Sequence, residues 1–213
     1  MQEAVGMSFK AKFRWSVATA GVGLLLLASL WLGSVHARLT ASKKQQIQNL
    51  VQIAYSTTLQ YYRMEVDGKV SREEAQKRAL ETLESMHYEG DNYFWVADLH
   101  PTMIMHPIRP ELNGKDLREY RDADGKALFL EMVHAVKSHG AGFISYKWPR
   151  PGQADGRPVP KLSFARHFEP WGWMIGTGIY VDDVDTAWRE SAAQAGGVAV
   201  LCLSLLLVAC FTV

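Results

Sequence analysis

Two side chains in this sequence, a lysine and a histidine, are of types that can bind an anion. Lys161 begins an apolar segment directly after a loop rich in proline and glycine. Its ammonium group suits a carboxylate, although a lysine at a strand end is more often solvated. His106 precedes Pro107, where its ring could donate a hydrogen bond or equally lie at the surface. With an ordinary pKa of about 6.5, a histidine in a binding site would make binding depend on pH.

Four aromatic side chains are spaced so that they pair on strand faces. Side chains two apart on a strand point to the same face, which pairs Tyr93 with Trp95 and Tyr146 with Trp148. On neighbouring strands the two pairs would form an aromatic box with phenol and indole donors. Packing in an ordinary core explains the same spacing equally well. Four apolar residues of the neighbouring segments are assigned to the core: Phe94, Val96, Ile144 and Ile175.

No catalytic or metal-binding pattern accompanies these residues. The histidines lack metal-ligand spacing and no cysteine joins them, so we predict no metal site and no cofactor. Asp122 to Gly125 resembles a calcium loop but lacks the downstream glutamate, which favours a turn or helix cap. Asp182 and Asp183 precede a predicted helix and are best interpreted as its caps. Without a nucleophile–base pair or a phosphate-binding glycine loop, we predict that the chain is not an enzyme.

Three helices are predicted within the central part of the chain. The segment from Arg38 to about Val66 lacks proline and glycine and predicts one long helix. Its inward residues recur at helical spacing: Ile47, Leu50, Val51, Ala54 and Thr58. Ser71 followed by Glu74 is a capping-box pattern and predicts a second helix that ends near His87. A short third helix is predicted from about Lys126 to Ser138.

Five strands are predicted from aromatic and β-branched runs bounded by turn residues. They cover Tyr93–Asp98, Met103–His106, Gly142–Trp148, Lys161–Phe168 and Trp173–Val181. Strands joined by short turns pair antiparallel, so the order ααββαβββα predicts an α+β domain. Gly176 and Gly178 interrupt the last strand, and we expect them to let it curve around a ligand or a neighbouring side chain.

Two uncharged apolar stretches enclose this domain. Val17–Val35 has 19 residues without a charge, which is enough to cross a bilayer. The second begins near Gly196 and is still apolar at Val213, which predicts that the sequence ends inside a second span. Basic residues before the first span favour a cytoplasmic N-terminus. The alternative is a cleaved signal peptide, because Val35-His36-Ala37 resembles a cleavage site.

These patterns divide the chain into four parts. We expect a cytoplasmic N-terminus over residues 1–16, a first transmembrane helix over 17–36, an extracytoplasmic domain over 37–191 and a second, truncated transmembrane helix over 194–213. With 23 basic and 22 acidic residues, no charge excess favours nucleic acid. Both cysteines, Cys202 and Cys210, lie in the second apolar stretch, so the exported domain is predicted to fold without disulfides.

Five sequence blocks resemble the single Cache domain of bacterial chemoreceptors. They follow one another, with similar spacing, over about Arg38–Ala195: Tyr93–Val96, Met105–Leu117, Gly142–Pro149, Lys161–Phe164 and Trp171–Asp183. The resemblance implies a PAS-like antiparallel sheet behind a long N-terminal helix, flanked by two transmembrane helices. Phe164 stands where such domains often carry tyrosine.

The resemblance also implies a function. Such domains bind small carboxylates such as acetate, pyruvate, lactate or propionate outside the cytoplasm. Most belong to methyl-accepting chemotaxis proteins, whose HAMP and coiled-coil signalling parts we expect beyond this sequence. The resemblance favours a counter-charge role for Lys161. Five further residues are expected to bind the ligand: Tyr93, Trp95, His106, Tyr146 and Trp148.

We therefore expect the sensing part of a chemoreceptor in the bacterial inner membrane, with a periplasmic or extracellular domain that binds a C2–C4 carboxylate. Its binding signal would pass through the second membrane helix. A homodimer is expected, with Ile47, Leu50 and Ala54 at the contact. Two alternatives stay open: the sensor of a histidine kinase or cyclic-nucleotide enzyme, and a ligand-free interaction module. A buried lysine facing aromatic rings would speak against the module, which has no reason to sequester a charge.

Overall fold

Four α-helices and six strands make up the residues that the computed structural model describes, 9–153 and 156–212. The helices are α1 (Phe9–Val66), α2 (Arg72–Ser85), α3 (Leu128–His139) and α4 (Val181–Thr212). The strands are β1 (His87–Tyr88), β2 (Asn92–Asp98), β3 (Met103–Met105), β4 (Ala141–Pro149), β5 (Pro158–Phe168) and β6 (Trp173–Tyr180). The chain divides into two units: Ala41–Asp183, and the described residues of Met1–Thr40 with Val184–Val213.

The unit that contains the chain termini is helical in its described residues and exposes apolar side chains. Leu30 is 72 % exposed, and Trp188 Nε1 donates to the Leu32 carbonyl oxygen at 3.3 Å. Over the described part of the chain, one helix is long and apolar enough to cross a membrane, Phe13–Val66. It contains the first predicted span, whereas the second span, over 194–213, stays a prediction.

Helices α1 and α2 share an apolar cluster with one face of the sheet. The fully buried residues of α1 are among those that helical spacing predicted: Ile47, Val51, Ala54 and Thr58. Ala54 joins Leu83 of α2 and Phe94 of β2 in that cluster. Ser71 Oγ accepts a hydrogen bond from the Glu74 amide at 3.2 Å, which confirms the predicted cap of α2. The helix ends at Ser85, before β1.

The burial of α1 contradicts the predicted dimer contact. Ile47 and Ala54 are 0 % exposed because they lie in the core of their own chain. Leu50 is partly buried and packs against the cluster that contains Ala54. A side chain without exposed surface cannot contact a second copy. Helical spacing identified the inward face of α1 correctly, but that face covers the sheet of the same chain.

The strands form one antiparallel sheet in the order β1-β2-β6-β5-β4, with β3 paired to β2. The α+β class, the antiparallel sheet and the long N-terminal helix are therefore confirmed. Strand β5 lies between β4 and β6, so its residues have partners on both sides. In that register Lys161 lies opposite Tyr146 on β4 and Tyr180 on β6.

Helix α3 covers the other face of the sheet. Its buried side chains are Leu128, Phe129, Met132, Val133 and Val136. They share a second apolar cluster with Tyr93 and Trp95, whereas Phe94 and Val96 belong to the cluster on the α1 side. This division follows from the alternation of side chains along β2. All four residues assigned to the core are buried: Phe94, Val96, Ile144 and Ile175.

Candidate functional site

The six predicted site residues meet in the cluster on the α3 side of the sheet. Four of them line one cavity: Trp95, His106, Tyr146 and Trp148. Its volume of about 10 Å³ is near the minimum that can hold one water molecule. The Tyr93 ring centroid lies 4.8 Å from the His106 centroid and 4.1 Å from Lys161 Nζ. The structure thus brings all six together, and their role in binding stays a prediction.

Lys161 is 1 % exposed although it carries an amino group. Its Nζ lies 4.1 Å from the Tyr93 ring centroid and 4.7 Å from that of Tyr180. Among the residues that the structure describes, no group forms a hydrogen bond with this nitrogen. Burial lowers the pKa of Lys161 to about 7, and the positive charge of Arg150 acts in the same direction. The site therefore holds an amine whose charge no group among the described residues balances.

His106 is fixed in one orientation and one tautomer. Its backbone N–H donates to Asn113 Oδ1 at 2.8 Å, and the Arg109 backbone N–H donates to its Nδ1 at 3.0 Å. Because Nδ1 accepts, the ring proton belongs on Nε2. Burial, then the charges of Lys161 and Arg109, lower the pKa of His106 to about 3. The ring is therefore a neutral donor, and with this lowered pKa we no longer expect His106 to make binding depend on pH near neutrality.

The hydroxyl of Tyr146 is fixed by β5. It lies 2.9 Å from Ser163 Oγ, with both side chains buried. A Cβ at Gly178 would lie only 2.1 Å from Ser163 Oγ, so the glycine makes room for this hydrogen bond. Burial raises the pKa of Tyr146, which keeps the phenol protonated and able to donate.

Trp95 supplies a second buried donor. Within the described chain its Nε1 has no hydrogen-bond partner. A Cβ at Gly176 would lie 2.1 Å from the indole ring, so β6 passes closely over Trp95 only because this residue is glycine. Of the two roles expected for Gly176 and Gly178, the structure shows that they accommodate neighbouring side chains.

The aromatic box is built differently from the prediction. Strands β2 and β4 are not neighbours, because β6 and β5 lie between them. His106 joins the two aromatic pairs instead: its ring centroid lies 4.8 Å from Tyr93 and 5.7 Å from Trp148. Within the β4 pair, the Tyr146 and Trp148 centroids are 5.9 Å apart. The histidine is thus an integral wall of the cavity.

Sequence reasoning missed part of the cavity wall. Met103, Phe129 and Met132 line it from β3 and α3. Helical spacing along α3 could have identified Phe129 and Met132 as inward-facing residues. Tyr180 was also missed, because its proximity to Lys161 depends on the pairing of β5 with β6. That register is not visible in the sequence of either strand alone.

The acidic loop before α3 is a turn. Asp122 Oδ1 accepts from the backbone N–H groups of Asp124 and Lys126, and its Oδ2 from that of Lys147, each at 2.9 Å. Its carboxylate is thereby occupied in tying the turn to β4. Over the described residues, no group of three or more His, Cys, Asp or Glu side chains could hold a metal ion.

Comparison with known proteins places this arrangement in a family. The dCache_2 family, described as a Cache domain, matches residues 34–195. The chain is 40 % identical over 192 residues to the methyl-accepting chemotaxis protein McpP of Pseudomonas putida, covering 88 % of this chain and 35 % of that protein. It is 32 % identical over 171 residues to the sensor histidine kinase MctS of Rhizobium johnstonii, covering 80 % and 35 %. The chain spans about a third of the length of these curated relatives.

Two solved structures share the fold. A periplasmic sensor domain of a chemotaxis protein is 44 % identical, with a TM-score of 0.65 over 68 % of this chain and 99 % of that chain. A Cache chemosensory domain, described in terms of carboxylic acid recognition, is 43 % identical, with a TM-score of 0.65 over 68 % and 98 %. Because the family match extends over residues 34–195, the chain belongs to the Cache domain family.

Proposed function

We propose that this chain is the sensing part of a chemoreceptor and that Lys161, together with the cavity lined by His106 and Tyr146, binds a small carboxylate of two to four carbons. The observation that carries the proposal is the buried Nζ of Lys161, which has no hydrogen-bond partner among the described residues. A buried charge without a partner is strongly unfavourable, and a carboxylate is the natural group to balance it.

The surroundings of Lys161 suit a small carboxylate in shape and polarity. Neutral donors are available at His106 Nε2, Trp95 Nε1 and the Tyr146 hydroxyl, and each side chain lines the cavity. Apolar side chains complete the wall: Met103, Phe129 and Met132. One positive charge, a few fixed donors and an apolar wall are the parts that orient a small anion. The volume of about 10 Å³ favours the smallest acids and requires the wall to move slightly on binding.

The chemotaxis assignment has one rival with the same site. The similarity to the histidine kinase MctS supports a kinase output as the second candidate. Both candidates use the domain as a non-catalytic sensor in the inner membrane, with the Ala41–Asp183 unit in the periplasm and two copies in the receptor. A ligand-free interaction module is disfavoured, because it gives no reason for burying Lys161 among aromatic rings.

The first prediction is that Lys161→Met abolishes carboxylate binding while the protein stays folded. Acetate, propionate, pyruvate and lactate are titrated into the full chain in detergent by calorimetry. Removing one partner of a buried charge pair costs about 2–5 kcal/mol, so affinity should fall about 30-fold or more. Lys137→Met is the matched control, because Lys137 is an exposed lysine on α3. Unchanged affinity in Lys161→Met would exclude this cavity as the carboxylate site.

A further inference from the structure

The Lys161 site also binds a second species, a proton. We infer that a carboxylate enters this site together with one proton, which Lys161 Nζ takes up from the solvent, so that the site receives the components of the undissociated acid. The inference rests on the proposed function, because it concerns the same cavity. It adds a stoichiometry that carboxylate recognition alone does not require.

The groups that surround Lys161 support this inference. Tyr93 on β2, Tyr146 on β4 and Tyr180 on β6 surround it with phenol rings. The other facing groups are His106, whose ring is neutral, and the cationic Arg150. Over the described chain, no acidic group contributes to the electrostatics of Lys161. Nothing in the site therefore compensates an ammonium charge.

The unliganded site consequently favours the neutral amine. Burial without a counter-charge disfavours the protonated form, which is why the pKa of Lys161 falls to about 7. A carboxylate beside Nζ supplies the missing negative charge and returns the pKa towards its usual range. One N–H bond then forms, and the buffer acid loses the proton. The result is an ammonium–carboxylate pair with no net charge.

Among the described residues near the cavity, no other group is as suited to take this proton. His106 Nδ1 already accepts the Arg109 backbone N–H at 3.0 Å, and burial is the main reason that the pKa of its ring is low. The phenols of Tyr93 and Tyr146 are protonated, because burial raises the pKa of each. The structure thus singles out Lys161 as the proton acceptor.

The test is calorimetric titration of the full chain with whichever of acetate, propionate, pyruvate or lactate binds. Titrations are run in Tris and in HEPES, whose ionisation enthalpies differ. At about pH 8.5 we expect about one proton taken up per bound carboxylate, falling to about 0.1 near pH 6. The same linkage predicts an affinity that falls about tenfold per pH unit between about pH 8 and pH 9.

His106→Gln identifies the acceptor. This variant should bind more weakly but take up the same number of protons, whereas loss of the uptake would assign the proton to His106 and overturn the inference. Binding with a heat that is equal in both buffers at about pH 8.5, after correction for dilution, would overturn it while leaving the sensor function intact. Absence of binding by all four acids at every pH would overturn the proposed function as well.

Discussion

Lys161 is a side chain that opposes the stability of the domain that contains it. Its pKa is about 7 in the folded chain and 10.5 as an ordinary lysine. Between these two pH values the unfolded chain binds more protons than the folded one. The free energy of unfolding therefore rises with pH across this window, and the full penalty applies below about pH 7. The proposed role of Lys161 in binding and the stability of the domain therefore make opposite demands on this residue.

We predict that Lys161→Met makes the unliganded protein more stable. Methionine fills a similar volume without a charge, so the gain should be about 1–4 kcal/mol at about pH 6 and should disappear above about pH 10.5. Thermal unfolding at several pH values measures it. Lys137→Met, on the exposed surface of α3, should leave stability within about 0.5 kcal/mol of the parent. A variant that is less stable than the parent at about pH 6 would show that the buried lysine does not destabilise the folded protein.

At the scale of elements, β6 determines whether the cavity can form. Its glycines allow two neighbouring side chains, Trp95 and Ser163, to lie against the strand. Trp95 lines the cavity directly. Ser163 lies within hydrogen-bond distance of the hydroxyl of Tyr146, which also lines the cavity. The strand was predicted to curve around a ligand or a neighbouring side chain, and it is neighbouring side chains that its glycines accommodate.

We predict that Gly176→Ala destabilises the domain by about 1–3 kcal/mol, because the added Cβ would lie 2.1 Å from the Trp95 ring. Adding Trp95→Phe should restore most of the stability, since the smaller ring removes the atoms that clash. The double variant should still bind carboxylate more weakly than the parent, because it lacks the indole N–H. Denaturant unfolding and calorimetry measure the two effects. A Gly176→Ala protein with unchanged stability would show that β6 can move away from Trp95.

Local sequence patterns predicted individual helices and strands better than they predicted which strands pair with each other. The capping box at Ser71 and the alternation along β2 were correct, because both depend on residues a few positions apart. The order of strands was not: β2 and β4 were expected to be neighbours, yet β6 and β5 separate them. Strand β1 was missed, because two residues are too few to show a period of two.

The site, like the fold, was predicted where local sequence was sufficient and missed where the answer depends on the whole sheet. Residue type and resemblance selected six side chains that the structure brings together, four of which line the cavity. Tyr180 was missed because strand register is a property of the whole sheet. The role of Ile47 was wrong, because spacing shows that a helix face is buried but does not show which surface buries it.

At the scale of the whole molecule, the site lies next to the start of α4. Tyr180 is the last residue of β6, its ring lies 4.7 Å from Lys161 Nζ, and Val181 begins α4. Asp182 in the first turn of α4 forms an ion pair with Arg150 at 2.7 Å, within the Ala41–Asp183 unit. A ligand shifts an equilibrium only by binding one state more tightly. We propose that the states of this receptor differ in the position of α4.

We predict that ligand changes the rate at which cysteines on α4 cross-link between two copies. Glu190→Cys is introduced after Cys202 and Cys210 are replaced by serine, and oxidation is followed with and without saturating carboxylate. Lys77→Cys, on the exposed surface of α2, is the control whose rate should not change. Constant rates at Glu190→Cys, with binding confirmed separately, would exclude transmission through α4. Absence of any cross-link would contradict the proposed dimer at this position.

The burial of Lys161 also limits how quickly a ligand can reach it. With only 1 % of the lysine exposed, a carboxylate in solution cannot contact Nζ unless the surrounding side chains move. The carboxylate must enter after a local opening of the domain. The observed binding rate therefore levels off at the rate of this opening as the carboxylate concentration rises. Above that concentration, adding more carboxylate does not make binding faster. The burial of Lys161 thus predicts an upper limit to the rate at which a carboxylate binds.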